Sequence, residues 1–205
     1  MRQTWPTDLP HATRVDLLEG IRRLAAGTPI TVPDPAADGG LPVDLASGWI
    51  ERDEAGRIVG LAGLCLAPTP HRLQVGATTV HAWCAWDTLF LPELLGATVA
   101  VASTCPVTGE AVALTLVGSE IRATSSPRLR LAFTTPSARE FRAGPRRVFC
   151  RHVHFLRDAD AAATWTAERP GVFAIDLALG LRLALLRNTV VFGALLGERA
   201  IASRA

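Results

Sequence analysis

The sequence predicts an α+β fold whose core is a mixed or antiparallel sheet flanked by helices. Three observations point there. Apolar residues recur at helical spacing near both ends of the 205-residue chain, and paired short apolar runs separated by turn residues fill its middle. No internal repeat and no glycine-rich nucleotide fingerprint is present.

Taken in order, His11 to Ala26 reads as an amphipathic helix, with Val15, Leu17, Leu18, Ile21 and Leu24 on its apolar side. Thr28 to Leu41 is rich in Pro, Gly and Asp and reads as loop, and Val43 to Gly48 as a single helical turn. Trp49 to Arg52, a turn at Asp53 to Gly56 and the run Ile58 to Leu66 form a hairpin signal. A helix followed by a hairpin predicts a winged-helix-like lobe over residues 1–68, leaving a second domain over 69–205.

Within that second part, Leu73 to Trp83 predicts a strand pair around Gly76. Cys84 to Leu91 predicts a helix that Pro92 kinks or restarts and Gly96 ends. Ala97 to Ala102 and Ala111 to Val117 read as strands flanking a turn at Pro106 to Gly109. Arg128 to Thr134, Arg147 to Leu156 and Val172 to Ile175 read as further strands, with helices over Asp158 to Arg169 and from Asp176 to about Gly197.

Composition narrows the function. The net charge of +2 is too small to mark nucleic acid or an anionic membrane as the main partner. On the first helix Arg14, Arg22 and Arg23 are offset by Asp16 and Glu19, which argues against a DNA-reading winged helix. All 21 basic residues are arginine, so lysine Schiff-base and P-loop chemistry are excluded. Met1 to Pro10 lacks the basic start and apolar run of a secretory signal. The most apolar segment, Leu177 to Leu196, carries Arg182, Arg187 and Asn188, which marks a buried or amphipathic helix rather than a bilayer span. A cytoplasmic protein with four free thiols is the expectation.

Those thiols are Cys65, Cys84, Cys105 and Cys150, and no pair has the C-x-x-C spacing of a zinc or redox motif. Cys84 stands three residues before Asp87, so a helix opening at Cys84 would place thiol and carboxylate on one face, about 5–6 Å apart at the β-carbons. A helix N-terminus lowers a thiol's pKa and a neighbouring carboxylate raises it, so spacing alone leaves the sign open. Such a pair is suited to trading one proton. Asp87 among Trp83, Trp86, Leu89 and Phe90 points to a partly buried carboxylate, and His152 and His154 alternate as on one side of a strand. The histidines are assigned to packing or hydrogen bonding, and Trp83, Phe149 and Phe155 to pocket wall or core.

His81-Ala82-Trp83-Cys84-Ala85-Trp86-Asp87-Thr88-Leu89 resembles the signature of the bacterial organomercurial (alkylmercury) lyases. Ser103-Thr104-Cys105-Pro106-Val107-Thr108-Gly109 and Phe149-Cys150-Arg151-His152-Val153-His154-Phe155 resemble two further blocks of that family, in the same order and spacing, over about Ile58 to Ile175. The resemblance implies an alkylmercury-lyase-like catalytic domain that cleaves carbon–mercury bonds by protonolysis. It implies Cys84 and Cys150 as the two mercury-binding thiols, Asp87 as proton shuttle and further contact of the Hg(II) product, and Cys105 as a structural cysteine. Thiolates are the ligands a soft metal prefers. In the implied sequence Asp87 takes a thiol proton as one sulfur attacks mercury. The second sulfur then binds, and Asp87 passes its proton to the mercury-bound carbon.

No organic cofactor is implied, since Hg(II) is the product and exogenous small thiols sustain turnover. The implied partners are the organomercurial substrate, cytosolic thiols and a mercuric reductase receiving Hg(II), with no nucleic acid and no membrane. Trp86 departs from the smaller aliphatic residue expected there and would either narrow the pocket or pack in the core. Arg151 replaces an adjacent cysteine found in some members, and Cys65 is an extra, buried and inert thiol. The alternative from another class is a thiol-based metal-trafficking or metal-sensing protein of the same fold, holding a soft metal through Cys84, Cys150 and a histidine without turnover. Asp87 separates the two, because a pure metal binder needs no proton donor.

Overall fold

A computed structural model describes residues 9–31 and 48–202. The expected loop at Thr28 to Leu41 falls largely, and the helical turn at Val43 to Gly48 almost wholly, outside these residues. Helix α1, His11–Ala25, buries Leu17, Leu18, Ile21 and Leu24 and turns Val15 outward. Strands β1 (Ile50–Arg52) and β2 (Ile58–Leu61) pair antiparallel across a turn in which the Asp53 carboxylate accepts the amides of Ala55 and Arg57.

The apolar run expected to form one strand from Ile58 to Leu66 is broken in two. Ala62 (φ 50°) and Gly63 (φ 107°) turn the chain back, so β3 (Leu64–Cys65) pairs with β2 and then with β5. A hairpin of β4 (His71–Val75) and β5 (Thr78–Ala82) follows, turning at Gly76 as expected. Next come helix α2 (Asp87–Leu95), ended by Gly96 in the left-handed conformation, and the long hairpin β6 (Thr98–Thr104) and β7 (Ala111–Val117). Both long strands alternate buried and exposed residues, the pattern of a sheet with one face on the core. With β8 (Glu120–Thr124), a strand the sequence reading lacked, they complete an eight-stranded antiparallel sheet in the order β1-β2-β3-β5-β4-β6-β7-β8.

A second sheet has β9 (Arg130–Thr134) between β10 (Phe155–Leu156) and β11 (Val172–Asp176). Between β9 and β10 run two short helices, α3 (Ala138–Ala143) and α4 (Pro145–Val148), and a 3-10 turn, Cys150–His152. The strand expected over Arg147 to Leu156 is thus mostly helical turn, and only its last two residues pair. Its β-branched and aromatic residues are there because they are buried, not because they are extended. The placement of His152 and His154 on one side of a strand fails with it. His154 instead packs on Trp165 (4.9 Å between ring centroids) and near His71 (5.7 Å), whose Nδ1 meets Ser103 Oγ at 2.9 Å. Helix α5 (Ala159–Ala167) starts at Asp158, whose carboxylate accepts the Ala161 amide.

Helix α6, Leu177–Ala202, is apolar and long enough over Leu177–Gly197 to cross a membrane by length and composition alone. In the fold it packs on α2, with Arg187 and Asn188 buried. About a third of this apolar stretch is buried inside the protein, and Leu179 and Leu186 are exposed.

Trp86 settles into this core. Its ring makes edge contacts with Phe90, Phe133 and Phe149 at centroid distances of 5.5, 5.5 and 5.6 Å, and its indole N–H donates to the Gly180 carbonyl at 2.9 Å. At Gly180 a β-carbon would stand 2.8 Å from the end of the Leu131 side chain, which would have to shift to admit it. The wide indole is therefore a strut between α2, β9 and α6. Trp86→Ala should cost about 3–5 kcal/mol of stability, read from urea unfolding. A loss under about 1 kcal/mol would show that the indole is not built into the core.

Candidate active site

The segment from β5 to α2 carries the first two groups. Chain direction reverses through Trp83 to Trp86, held by the Trp83 amide on the Gly63 carbonyl (2.8 Å) and the Ala85 amide on the Val153 carbonyl (3.2 Å). Contrary to expectation, Cys84 precedes the helix, which begins at Asp87. The Asp87 carboxylate reaches back to accept the Cys84 backbone amide at 2.8 Å. An acidic side chain in the first turn satisfies an otherwise orphan amide there and favours the helix start.

The 3-10 turn brings Cys150 in from a position 63 residues later in the chain, and its thiol points at the same Asp87 oxygen, 3.9 Å away. The sulfurs of Cys84 and Cys150 and a carboxylate oxygen of Asp87 all lie within 4.8 Å of one another. All three residues are buried, Cys84 completely and the other two at 4% exposure. The three residues singled out from the sequence thus meet at one point.

Burial governs their acidity. It pushes the Asp87 carboxyl up to about 7, although hydrogen bonds from Cys84, the charge of Arg187 and the Cys150 thiol pull the other way. Cys84 is driven well above the ordinary thiol value, first by burial, then by Cys150 and Asp87. Cys150 is raised too, mainly by burial, with Cys84 and the charge of Arg146 opposing. Burial thus favours protonated thiols at rest and holds the carboxyl near neutrality, where it can take or give a proton.

Cys65, on β3, is buried beside this centre, pushed up to about 12 by burial and by the nearby Asp87 and Cys150. Its thiol donates to the Ala67 carbonyl at 3.4 Å. Cys105 lies at a different place, in the β6–β7 turn, where its amide bonds the Glu110 carbonyl and its carbonyl accepts the Gly109 amide. Burial opposes charge on that sulfur, but the Thr108 hydroxyl and the amides of Thr108, Arg157 and Val107 outweigh it and lower the thiol's pKa.

Two residues of the site escaped the sequence reading. Arg187 is one. Gly63 is the other, and the glycines inside the apolar run Ile58 to Leu66, Gly60 and Gly63, were the available signal for it. A β-carbon at Gly63 would stand 2.9 Å from the Asp87 carboxylate and 3.0 Å from the end of the Phe90 ring. With φ at 107°, the position is also strained for any other residue. Gly63→Ala should displace the carboxylate and reduce turnover about 100-fold, since misplacements of about 1 Å cost that much. Unchanged steady-state turnover would show that Gly63 does not set the Asp87 position.

Residues 64–186 match the alkylmercury lyase family. The chain is similar to an alkylmercury lyase of Staphylococcus epidermidis, 39% identical over 156 residues that cover 73% of this chain and 70% of the relative. It is likewise similar to one of Streptomyces lividans, 34% identical over 164 residues, covering 77% and 74%. Its fold resembles the crystal structure of the mercury-bound form of MerB2, with a TM-score of 0.73 and 22% identity over 91% of this chain and 94% of that one.

Proposed function

This chain belongs to the alkylmercury lyase family, and on that premise we propose that Cys84, Asp87 and Cys150 cleave carbon–mercury bonds by proton transfer to carbon. The observation that carries the proposal is a buried carboxyl, poised near 7, touching two buried thiols whose reactive atoms all fall within 4.8 Å.

A monoalkyl or arylmercury arrives bound to a small ligand such as a cytosolic thiolate. One cysteine sulfur attacks mercury, and that ligand leaves with one of the two thiol protons. Asp87, ionised, takes the other proton as the second sulfur binds. Two thiolates now donate to mercury and increase the electron density on its carbon. Asp87 delivers its proton to that carbon as the carbon–mercury bond breaks, so hydrocarbon leaves and Hg(II) remains on Cys84 and Cys150 next to the again ionised Asp87. Protons and charge balance, and no redox step is involved. The low-polarity surroundings strengthen each charge interaction and exclude water from the proton path.

The proposal extends to setting. The reaction belongs in the cytoplasm, where small thiols bring substrate and remove Hg(II), and a mercuric reductase is the fitting recipient. The N-terminal part contributes a cover, supported by Trp49 packing edge-on to Phe141 (5.5 Å) and by the ion pair of Glu51 with Arg146.

Asp87→Ala tests the assignment against the metal-binder alternative. With phenylmercury as substrate, the variant should bind mercury yet release benzene at least about 100-fold more slowly. Release at the wild-type rate would remove the carboxyl from the mechanism.

A further inference from the structure

Behind the carboxylate lies a second buried charge. Arg187 of α6 is 3% exposed, and its guanidinium carbon stands 4.2 Å over the Phe90 ring centroid and 5.2 Å from that of Phe192. The end of the Phe90 ring and the Asp87 carboxylate both stand within 3.0 Å of the point a Gly63 β-carbon would occupy, so the two are no more than about 6 Å apart. An aromatic ring is negative on its face and positive at its rim. The cation occupies the face and the carboxylate lies on the side of the ring's far end, an arrangement in which one ring complements both charges.

Asn188 fixes this stack. It accepts from Arg187 at 2.9 Å and donates to the Phe90 carbonyl at 2.9 Å and the Glu93 carboxylate at 2.8 Å, tying α6 to α2. The other ionisable groups around Asp87 are the thiols of Cys84, of Cys150 from the 3-10 turn and of Cys65 from β3, with Arg146 of α4 acting on Cys150. None of the thiols supplies positive charge on the α6 side.

We propose that Arg187, acting through Phe90, is a positioning residue that stabilises the negative charge returning to Asp87 as its proton leaves for carbon. The inference rests on the protonolysis reading above. In the interior, two charges separated by one ring still interact strongly, and each of the two groups feels the other's charge. The effect belongs to the cleavage step, where the carboxyl becomes a carboxylate, and not to the attack of the first sulfur on mercury or to the final extent of mercury binding.

The test is a single-turnover experiment with phenylmercury on the full chain. In Arg187→Met, the final extent of mercury uptake, with loss of the two reactive thiols, should match the wild type. Benzene release should slow about 10- to 100-fold, and its solvent deuterium isotope effect should grow as proton transfer becomes limiting. Arg187→Lys should recover most of the rate, which a purely structural arginine would not require. Wild-type release from Arg187→Met, or equal loss in the Lys and Met variants, overturns the inference. If Arg187→Met shows no folding transition, Phe90→Leu decides: slowed release with intact capture supports the relay, and unchanged release overturns it. Failure of the wild type itself to release benzene would overturn the underlying protonolysis reading instead.

Discussion

Replacing either Cys84 or Cys150 by serine should lower hydrocarbon release from an arylmercurial by about 1,000-fold or more. Mercury is soft, and a serine hydroxyl is a hard, weakly acidic donor that neither captures the metal nor pushes electron density toward its carbon. The two sulfurs act as a unit with Asp87, so the double variant should be little worse than either single one. Cys105→Ser is the control: its sulfur is outside the centre, and it should change stability more than rate. Initial rates of benzene formation with excess small thiol measure this. If neither single variant lost activity, the assignment of the centre would fall.

The second large effect is expected at Asp87, in two opposite directions. The folded carboxyl is held up at about 7 by burial, whereas its ordinary value is 3.8. Between those values the folded state binds more protons than the unfolded state, so this group makes stability fall as pH rises from about 4 to 7, and the loss persists above 7. Asp87→Asn keeps the shape and an acceptor for the Cys84 amide but carries no charge to bury. The variant should therefore melt a few degrees above wild type at pH 8 while losing benzene release. In the wild type, binding of the second sulfur needs ionised Asp87 to take its proton, so kcat/KM should rise with pH through about 7. A variant less stable than wild type at pH 8, or a pH profile flat from 6 to 8, would contradict a buried, proton-trading carboxyl.

The sequence disclosed the chemistry better than the local geometry around it. Residue type and spacing alone gave no more than a plausible proton-trading pair in Cys84 and Asp87; it was the resemblance of three blocks to the alkylmercury lyases that singled out Cys84, Asp87 and Cys150 together. The long hairpin β6–β7 was legible because a sheet with one buried face writes its period into the residues. The segment around Cys150 was not. Val148, Phe149, Val153 and Phe155 have strand-like composition, yet tertiary burial folds most of this stretch into helical turns that aim the thiol inward. The start of α2 was misplaced because Asp87 bonds back to the Cys84 amide, a cap whose side chain lies inside the helix. Arg187 was read only as an interruption of an apolar helix, for nothing local indicates that Phe90 lies beneath it. Trp86, an oddity in the motif, is explained once Gly180 is seen accepting its indole N–H.

The most direct test of the central claim is one turnover of the purified chain with one equivalent of phenylmercury and no added thiol. Protonolysis by the Cys84–Asp87–Cys150 centre predicts one benzene per protein, two thiols lost from titration, and Hg(II) retained with two sulfur neighbours by X-ray absorption. Stoichiometric mercury uptake with phenyl still attached and no benzene would contradict it, leaving a thiol site that binds organomercury without cleaving it.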